Sequence, residues 1–580
     1  MAFDRPTALR RLAAEQLDVL VVGGGITGAG VAVDAAARGL RTGLVERHDF
    51  ASGTSSKSSK LVHGGLRYLQ QREFRLVYEA LAERQRLRHT APHLVRLLPF
   101  LIPVFGKGGV INPKLAKALN SALWMYDLTG GARIGKLHEQ ISADEAVAHM
   151  PTLRRDRVVS GFIYHDAQTD DARLTLALAR TAADLGAAVA NWTAVTGFEK
   201  GTDGMVTGAV VQPTDGHGGP EGEPITVRAA VVVNAGGVWS DDVAALDVGY
   251  DPDTIRPAKG IHITVPWDKV RNDIAAVVPV PADRRSVFVV PQGDRTYIGT
   301  TDTDYDGPID EPTCTAEDVR YLLDAINASV TEPLTEHDVV GTWAGLRPLV
   351  SGGSTAQKTA KTKDLSRRHK VARSDTGVLA VTGGKLTTYR KMAADTVDAA
   401  VEALGRGGRT RTRRLRLHGA EGHAELLDGA AATRLGVPAD ELARLANRYG
   451  GDARAVAAMI AGDPTLGEPL VASLPFTRAE ALYAARYEMV GSLDDLLSRR
   501  LPARWQARDA TADAALDAAR LVAADLGWDE ARIATEVDAL RASIDRERDD
   551  AGLPRTVTAP APSASATTTT TTVSTPVAGA

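Results

Sequence analysis

In KSSKLVHGGLRYL, residues 57 to 69, four side chains able to do chemistry, Lys60, His63, Arg67 and Tyr68, share a few turns of chain with Gly64 and Gly65. An imidazole can take a proton near neutral pH, and a guanidinium can hold an anion through planar donors. Neither helical spacing nor strict alternation of apolar residues accounts for the set. The same residue types recur downstream: His262 in KGIHITVP, Arg347 in GTWAGLRPLV, and Lys385 directly after Gly383 and Gly384 in TGGKLTTYR. An arginine enclosed by AGL and PL is badly placed without an anionic partner.

The elements that must position these residues begin upstream. Residues 18 to 46 read as strand (DVLVV), glycine turn (GGGITG), small-residue helix (AGVAVDAAARG) and second strand (TGLVE). Gly23, Gly25 and Gly28 satisfy G-x-G-x-x-G. The first permits the tight turn, the second lets a pyrophosphate approach the backbone, and the third lets helix and strand pack closely. The helix N-terminus then faces the anion. Glu46 stands at the end of the second strand, where a carboxylate accepts hydrogen bonds from a ribose diol and disfavours a 2′-phosphate, which leaves FAD or NAD.

Later segments favour FAD. RAAVVVNAGGVWSDD, 228 to 242, has the form of a buried strand ending in a small-residue turn at Gly236. TGVLAVTGGKLTTYRKMAADTVDAAVEAL adds another strand, a Gly-Gly turn including Gly384, and a long helix with apolar residues at Leu386, Tyr389, Ala393, Val397, Ala400 and Leu404. A helix N-terminus with Lys385 beside it would put positive potential where a reduced flavin carries negative charge.

A chain of 580 residues exceeds one hydrophobic core, and its 68 Lys and Arg against 72 Asp and Glu give a net charge of -4, without the basic excess that points to nucleic acid. The lone Cys314 forms no intrachain disulfide and fits a reducing compartment. No acid-free leader with an apolar core starts the chain, and no apolar run spans a bilayer. The organisation expected is an N-terminal extension, 1–17; a main region, 18–406; an Ala, Leu, Arg and Asp-rich helical region, 407–550; and a Pro, Ala, Ser and Thr tail, 551–580, of too little apolar bulk to order. Stretches 201 to 224 and 351 to 370 read as surface loops or hairpin ends.

These segments together resemble the FAD-dependent glycerol-3-phosphate dehydrogenases of the aerobic type. The resemblance rests on VVGGGITGAGVAVDAAARGL, TSSKSSKLVHGGLRYL, DDARL, NAGGVWSD, KGIHITVP, VFVVPQGDRTYIGTTDTDY, AGLRPL and TGGKLTTYR, in the family's order over roughly 18 to 405. It implies an α/β fold: a Rossmann-like FAD-binding domain, an interleaved antiparallel-sheet substrate domain and a C-terminal α-helical cap. It also implies oxidation of sn-glycerol 3-phosphate at C2 with FAD taking the hydride and a membrane quinone reoxidising it. The enzyme would sit on the cytoplasmic face of the cell membrane, in peripheral contact with lipid, with a homodimer left open and no metal.

By the same resemblance Arg67, Tyr68 and Arg347 line the substrate cavity, and Thr54, Ser55, Ser56, Ser58 and Ser59 wrap the flavin; Lys385, after its two glycines, either anchors the flavin or contacts substrate. His262, ahead of His63, is the expected base, and Arg347 is a further catalytic candidate, gripping the phosphate or polarising the C2 oxygen. Asp170, Asp171 and Arg173 in DDARL read as a helix cap with a solvated face. RLLPFLIPVFGKGG (96 to 109) and KLAKALNSALWMYDL (114 to 128) read either as membrane-facing or as a core strand and buried helix. Arg499 and Arg500 carry no assigned role, because LPARW follows them where the family continues with a basic-threonine pattern.

Overall fold

The computed structural model describes residues 3–65, 73–106, 113–127, 136–280, 285–350 and 369–556. Arg67, Tyr68, nearly all of the loop expected at 351 to 370, and 557–580 of the expected tail lie outside the described residues.

Two sheets organise the described residues. In the first, Leu379–Thr382, Ile225–Asn234, Gln16–Val22, Thr42–Val45 and Ala188–Ala190 lie side by side in that order, all parallel. Gln16–Val22 is buried from Leu17 to Val22, as expected of a parallel strand covered on both faces. The helices Ile26–Ala37, Asp171–Asp184 and Tyr389–Leu404 cover one face and share a core with it, through residues such as Val31, Leu174 and Val397. On the other face the helix Arg5–Ala14 buries Ala8 and Leu12. Arg5 donates to the carbonyls of Asn191, Trp192 and Thr214, so this part of the expected extension is bound to the sheet.

The second sheet is mainly antiparallel, and the chain enters it and leaves it repeatedly between strands of the first. Its long pairs are Val95–Phe105 with Val158–Thr169, and Ile255–Pro266 with both Arg295–Gly299 and Gly341–Val350. The helix Ala316–Asn327 packs on one face; the helices Phe74–Thr90 and Pro113–Tyr126 pack on the other. RLLPFLIPVF is therefore a core strand. On Pro113–Tyr126, Leu123 and Tyr126 are buried while Trp124 and Met125 are exposed.

Two sequence readings change here. Within 201 to 224 the segment Val206–Pro213 is a strand pairing with Thr193–Lys200 and Ile225–Asn234, because its alternate residues, Ala209 and Val211, reach the core under that sheet. Residues 551–556, grouped with the tail, are packed: Ala551 and Leu553 are buried, and Thr556 donates to Asp509.

Beyond 420 the chain is helical, with cores around Leu442 and Tyr449 and around Leu496 and Val522. Its contact with the first sheet is charged and buried. Arg500 donates to both carboxylate oxygens of Asp49 at 2.6 and 2.8 Å, Arg499 adds a bond of 2.7 Å to Asp49, and Arg173 reaches Glu488 at 2.7 Å. Burial opposes ionisation of Asp49, but the two guanidiniums hold its pKa below the usual carboxylate value. Arg499 and Arg500 thus fasten the C-terminal helices to the loop that follows the second strand.

Candidate active site

A cavity of about 1100 Å³ opens between the two sheets. It exceeds the roughly 300–1,000 Å³ usual for one small ligand, which suits a dinucleotide with a second molecule beside it. At one end it is walled by Gly23, Gly25, Glu46, Thr54, Ser55 and Gly236. Gly23 has φ +112°, and a Cβ there would stand 2.6 Å from the Ala235 carbonyl oxygen. A Cβ on Gly28 would stand 1.9 Å from the Gly23 carbonyl oxygen, so Gly28 is off the cavity wall and serves the close packing of helix on strand. The helix Ile26–Ala37 begins on Gly25 with no side-chain cap at Gly25, and its first N–H is met by Ser55 Oγ at 2.9 Å. Glu46 accepts from the Gly24 and His48 N–H groups at 2.6 and 2.9 Å, and burial raises its pKa against those two bonds.

This end fits FAD. Three glycines leave backbone bare where a pyrophosphate must approach, and a helix N-terminus and a strand-end carboxylate stand where a dinucleotide needs them. Gly23, Gly25, Glu46, Ser55 and Gly236 would hold it.

The polar run is divided. Thr54, Ser55, Ser58 and Ser59 are on the cavity wall. Ser56 is not among the lining residues: it is buried, and its carbonyl accepts from Lys60 Nζ at 2.8 Å. Ser58 gives both its N–H and its hydroxyl to Asp171. Lys60, in the left-handed region at φ +55°, meets Asp171 at 2.6 Å with both side chains almost fully buried. Asp170 does cap its helix, accepting the Arg173 N–H, but the expected solvated face is absent: Asp171 and Arg173 are buried under the 57–60 loop and the C-terminal helices. The sequence showed the cap and could not show what packs over it.

The chemistry-bearing residues meet through cross-strand register. His262 pairs with Gly299 on one side and Trp343 on the other, and two residues along Gly260 pairs with Gly345. The imidazole is stacked on the Trp343 ring at 4.5 Å and 7°. A Cβ on Gly299 would stand 2.1 Å from it. Gly260 opens the next position, where Arg347 Nη2 lies 2.6 Å from where a Cβ would be. Arg347 bonds Thr300 Oγ1 at 3.1 Å and Asp302 at 3.3 Å.

His262 Nε2 is 3.0 Å from Ser59 Oγ, while Nδ1 is buried with no partner among the described residues. Burial, then the charges of Arg347 and Lys60, push its pKa well below the ordinary imidazole value, so the ring stays neutral. His63, Gly384 and Lys385 line the same cavity, and Thr387 Oγ1 accepts the His63 N–H at 3.2 Å.

Gly64 fixes the chain directly after His63. Its N–H reaches Tyr126 Oη and Asp166 at 3.0 and 3.2 Å, and a Cβ there would collide with Leu81 and Tyr126. Asp166 is itself held by Arg84. Thr300, Asp302 and Trp343 went unassigned in the sequence; the acid in TTDTD following an apolar strand was the one available signal. A further arm of the cavity is apolar, lined by Ile102, Leu119, Ala122, Tyr164, Val277 and Phe288.

Residues 18–390 match the family described as FAD dependent oxidoreductase, and 410–533 match the C-terminal domain of alpha-glycerophosphate oxidase. The chain is 40% identical to glycerol-3-phosphate dehydrogenase 2 of Mycobacterium tuberculosis, over 96% of this chain and 92% of that protein. It is 35% identical to the human mitochondrial glycerol-3-phosphate dehydrogenase, over 91% and 73%. The structure resembles that of the glycerol-3-phosphate dehydrogenase from Bacillus halodurans complexed with FAD, with a TM-score of 0.74, 31% identity, and coverage of 93% and 97%.

Proposed function

This chain belongs to the FAD dependent oxidoreductase family, and from that premise we propose that it is an FAD-dependent dehydrogenase oxidising sn-glycerol 3-phosphate to dihydroxyacetone phosphate, with a membrane quinone as acceptor. The observation that carries the reading is a neutral buried histidine against Gly299 and an arginine over Gly260 on the wall of one cavity, which is continuous with the cofactor cradle. FAD, bound along Gly23, Gly25, Glu46 and Ser55, would accept the hydride from C2. His262 takes the C2 hydroxyl proton, with Ser59 and Trp343 fixing its plane. Arg347, Lys385 and, beyond the described residues, Arg67 and Tyr68 bind the phosphate and orient the carbinol carbon. His63 supports the loop that leads to Arg67.

The apolar arm of the cavity supports an acceptor with an apolar ring. No helix of the described residues is long and apolar enough to cross a membrane. Exposed Trp124 and Met125 support peripheral contact with lipid, on the cytoplasmic face. Glycerol catabolism is the setting these activities imply, and a homodimer is compatible with them.

Anaerobic mixing of the purified protein with sn-glycerol 3-phosphate should bleach the flavin's visible band, and a quinone should restore it. No bleaching would sink the substrate assignment. Rapid peroxide formation in air without quinone reduction would replace the dehydrogenase by an oxidase. Gly299→Ala tests the histidine slot: the added methyl overlaps the imidazole, and bleaching should slow by about ten-fold or more while FAD content is kept. An unchanged rate would remove His262 from the proton transfer.

A further inference from the structure

The aromatic packing that orients His262 does not end at Trp343. The Trp505 ring packs against Trp343 at a tilt of 54°, with centroids 5.0 Å apart, and Lys60 Nζ stands 4.5 Å above Trp505 and 5.4 Å from Trp343. Trp505 comes from the C-terminal region, between the helical turn Asp495–Arg500 and the helix Arg508–Leu526, yet it is buried in the apolar core beneath the second sheet, with Tyr297, Trp343 and Phe100.

Its segment is strapped down on both sides. The Arg508 N–H donates to Val340 O at 2.8 Å, Arg295 Nε donates to Gln506 O at 2.9 Å, and Gly341 is bare where the Trp505 carbonyl lies, 2.2 Å from the position of a Cβ. Arg504 is tied to Glu547 at 2.9 Å and Asp494 at 3.0 Å. Two of these contacts, at the Val340 carbonyl and at Gly341, fall where Gly341–Val350 begins, the strand that carries Trp343 and Arg347.

We propose that Trp505 is a positioning residue for the oxidation, supplied by the C-terminal region: it backs Trp343 and so sets the plane and the dryness of the His262 imidazole. The inference rests on the reading of His262 as the proton acceptor. The groups facing that ring are Arg347 and Trp343 from one strand, Tyr297 from another, and Ser59 and Lys60 from the 57–60 loop, with Asp171 neutralising Lys60. Of these, only Trp343 bears on the ring face to face, and Trp343 is itself held by its packing against Trp505 and by its indole N–H, which donates to the Ser58 carbonyl at 3.1 Å. Removing Trp505 admits water beside Trp343. Because burial is the leading cause of the low His262 pKa, hydration moves that pKa up, and the acid limb of the rate profile moves to higher pH.

The test uses the full-length holoprotein and its Trp505→Ala, Trp505→Leu and Trp505→Phe variants, reading the anaerobic rate of flavin bleaching by sn-glycerol 3-phosphate against pH. Trp505→Ala is expected to keep its flavin, to bleach about ten- to a hundred-fold more slowly, and to shift its acid limb upward; Trp505→Phe, which keeps a ring, should recover to within about three-fold of the parent. Should the alanine variant fail to fold, Trp505→Leu carries the same criteria. A parental rate and an unmoved acid limb in the folded variant overturn the proposal, as does an equal loss in the phenylalanine variant. His262→Asn separates the premise: a parental rate there overturns the reading of His262 and the proposal with it, whereas a slow His262→Asn beside a normal Trp505→Ala overturns the proposal alone.

Discussion

Replacing Arg347 by alanine should leave a folded, flavin-loaded protein whose kcat/KM for sn-glycerol 3-phosphate is lower by roughly two to three orders of magnitude. Losing one partner of a desolvated, hydrogen-bonded charge pair costs about 2–5 kcal/mol, and each 1.4 kcal/mol is roughly ten-fold. The guanidinium lies over Gly260 between Thr300 and Asp302, in the part of the cavity next to His262. The loss should therefore fall on substrate turnover, with flavin content unchanged. Arg347→Lys keeps the charge and loses the planar fork, so it should recover only part of the activity. Steady-state rates with flavin quantified by absorbance check this, and turnover within about three-fold of the parent would remove Arg347 from the substrate site.

The second large effect is at Asp49. Its carboxylate is fully buried and accepts from Arg499, Arg500 and the Asn191 amide. Asp49→Ala leaves two guanidiniums facing each other without the acceptor they share, and breaking a buried pair in this way costs about 3–5 kcal/mol. Asp49 lies in the loop that runs from Glu46 to Ser55, both on the cofactor's wall. The expected result is a lower melting temperature together with flavin that washes out on dilution, partly restored by excess FAD through binding linkage. Thermal melting with and without added FAD measures both. A variant with parental melting temperature and full flavin would mean that the C-terminal helices do not support the loop.

These two residues also mark what the sequence could and could not convey. The cradle was legible because its rules are local: glycine spacing, a helix start and a strand-end acid all fall within Asp18 to Glu46, and a Cβ on Gly23 or Gly28 would strike backbone, as a tight turn and close helix–strand packing require. Arg347 was legible because a guanidinium among glycine, leucine and proline has few structural uses. Asp49 was silent, because its partners stand 450 and 451 positions later. Asp171 was misread for a related reason: a helix cap can be read from four residues, but the burial of the next residue depends on Lys60, 111 positions away. The placement of His262 against Trp343 and Gly299 depends on strand register, which alternation in KGIHITVP suggests for one strand and leaves open for its partners.

The buried charges between the C-terminal helices and the first sheet have a consequence for inheritance. Arg173 with Glu488, Asp170 with Arg448, and Asp49 with both Arg499 and Arg500 each place one member on either side of the boundary between the two matched family regions. Sequence comparison treats those regions as separable modules. Here they are complementary halves, joined by charge pairs that cross from one to the other. Recombination with a relative that exchanged the C-terminal half alone would have to bring Arg448, Glu488, Arg499 and Arg500 with it, so these positions should change together or stay fixed while the surfaces around them drift.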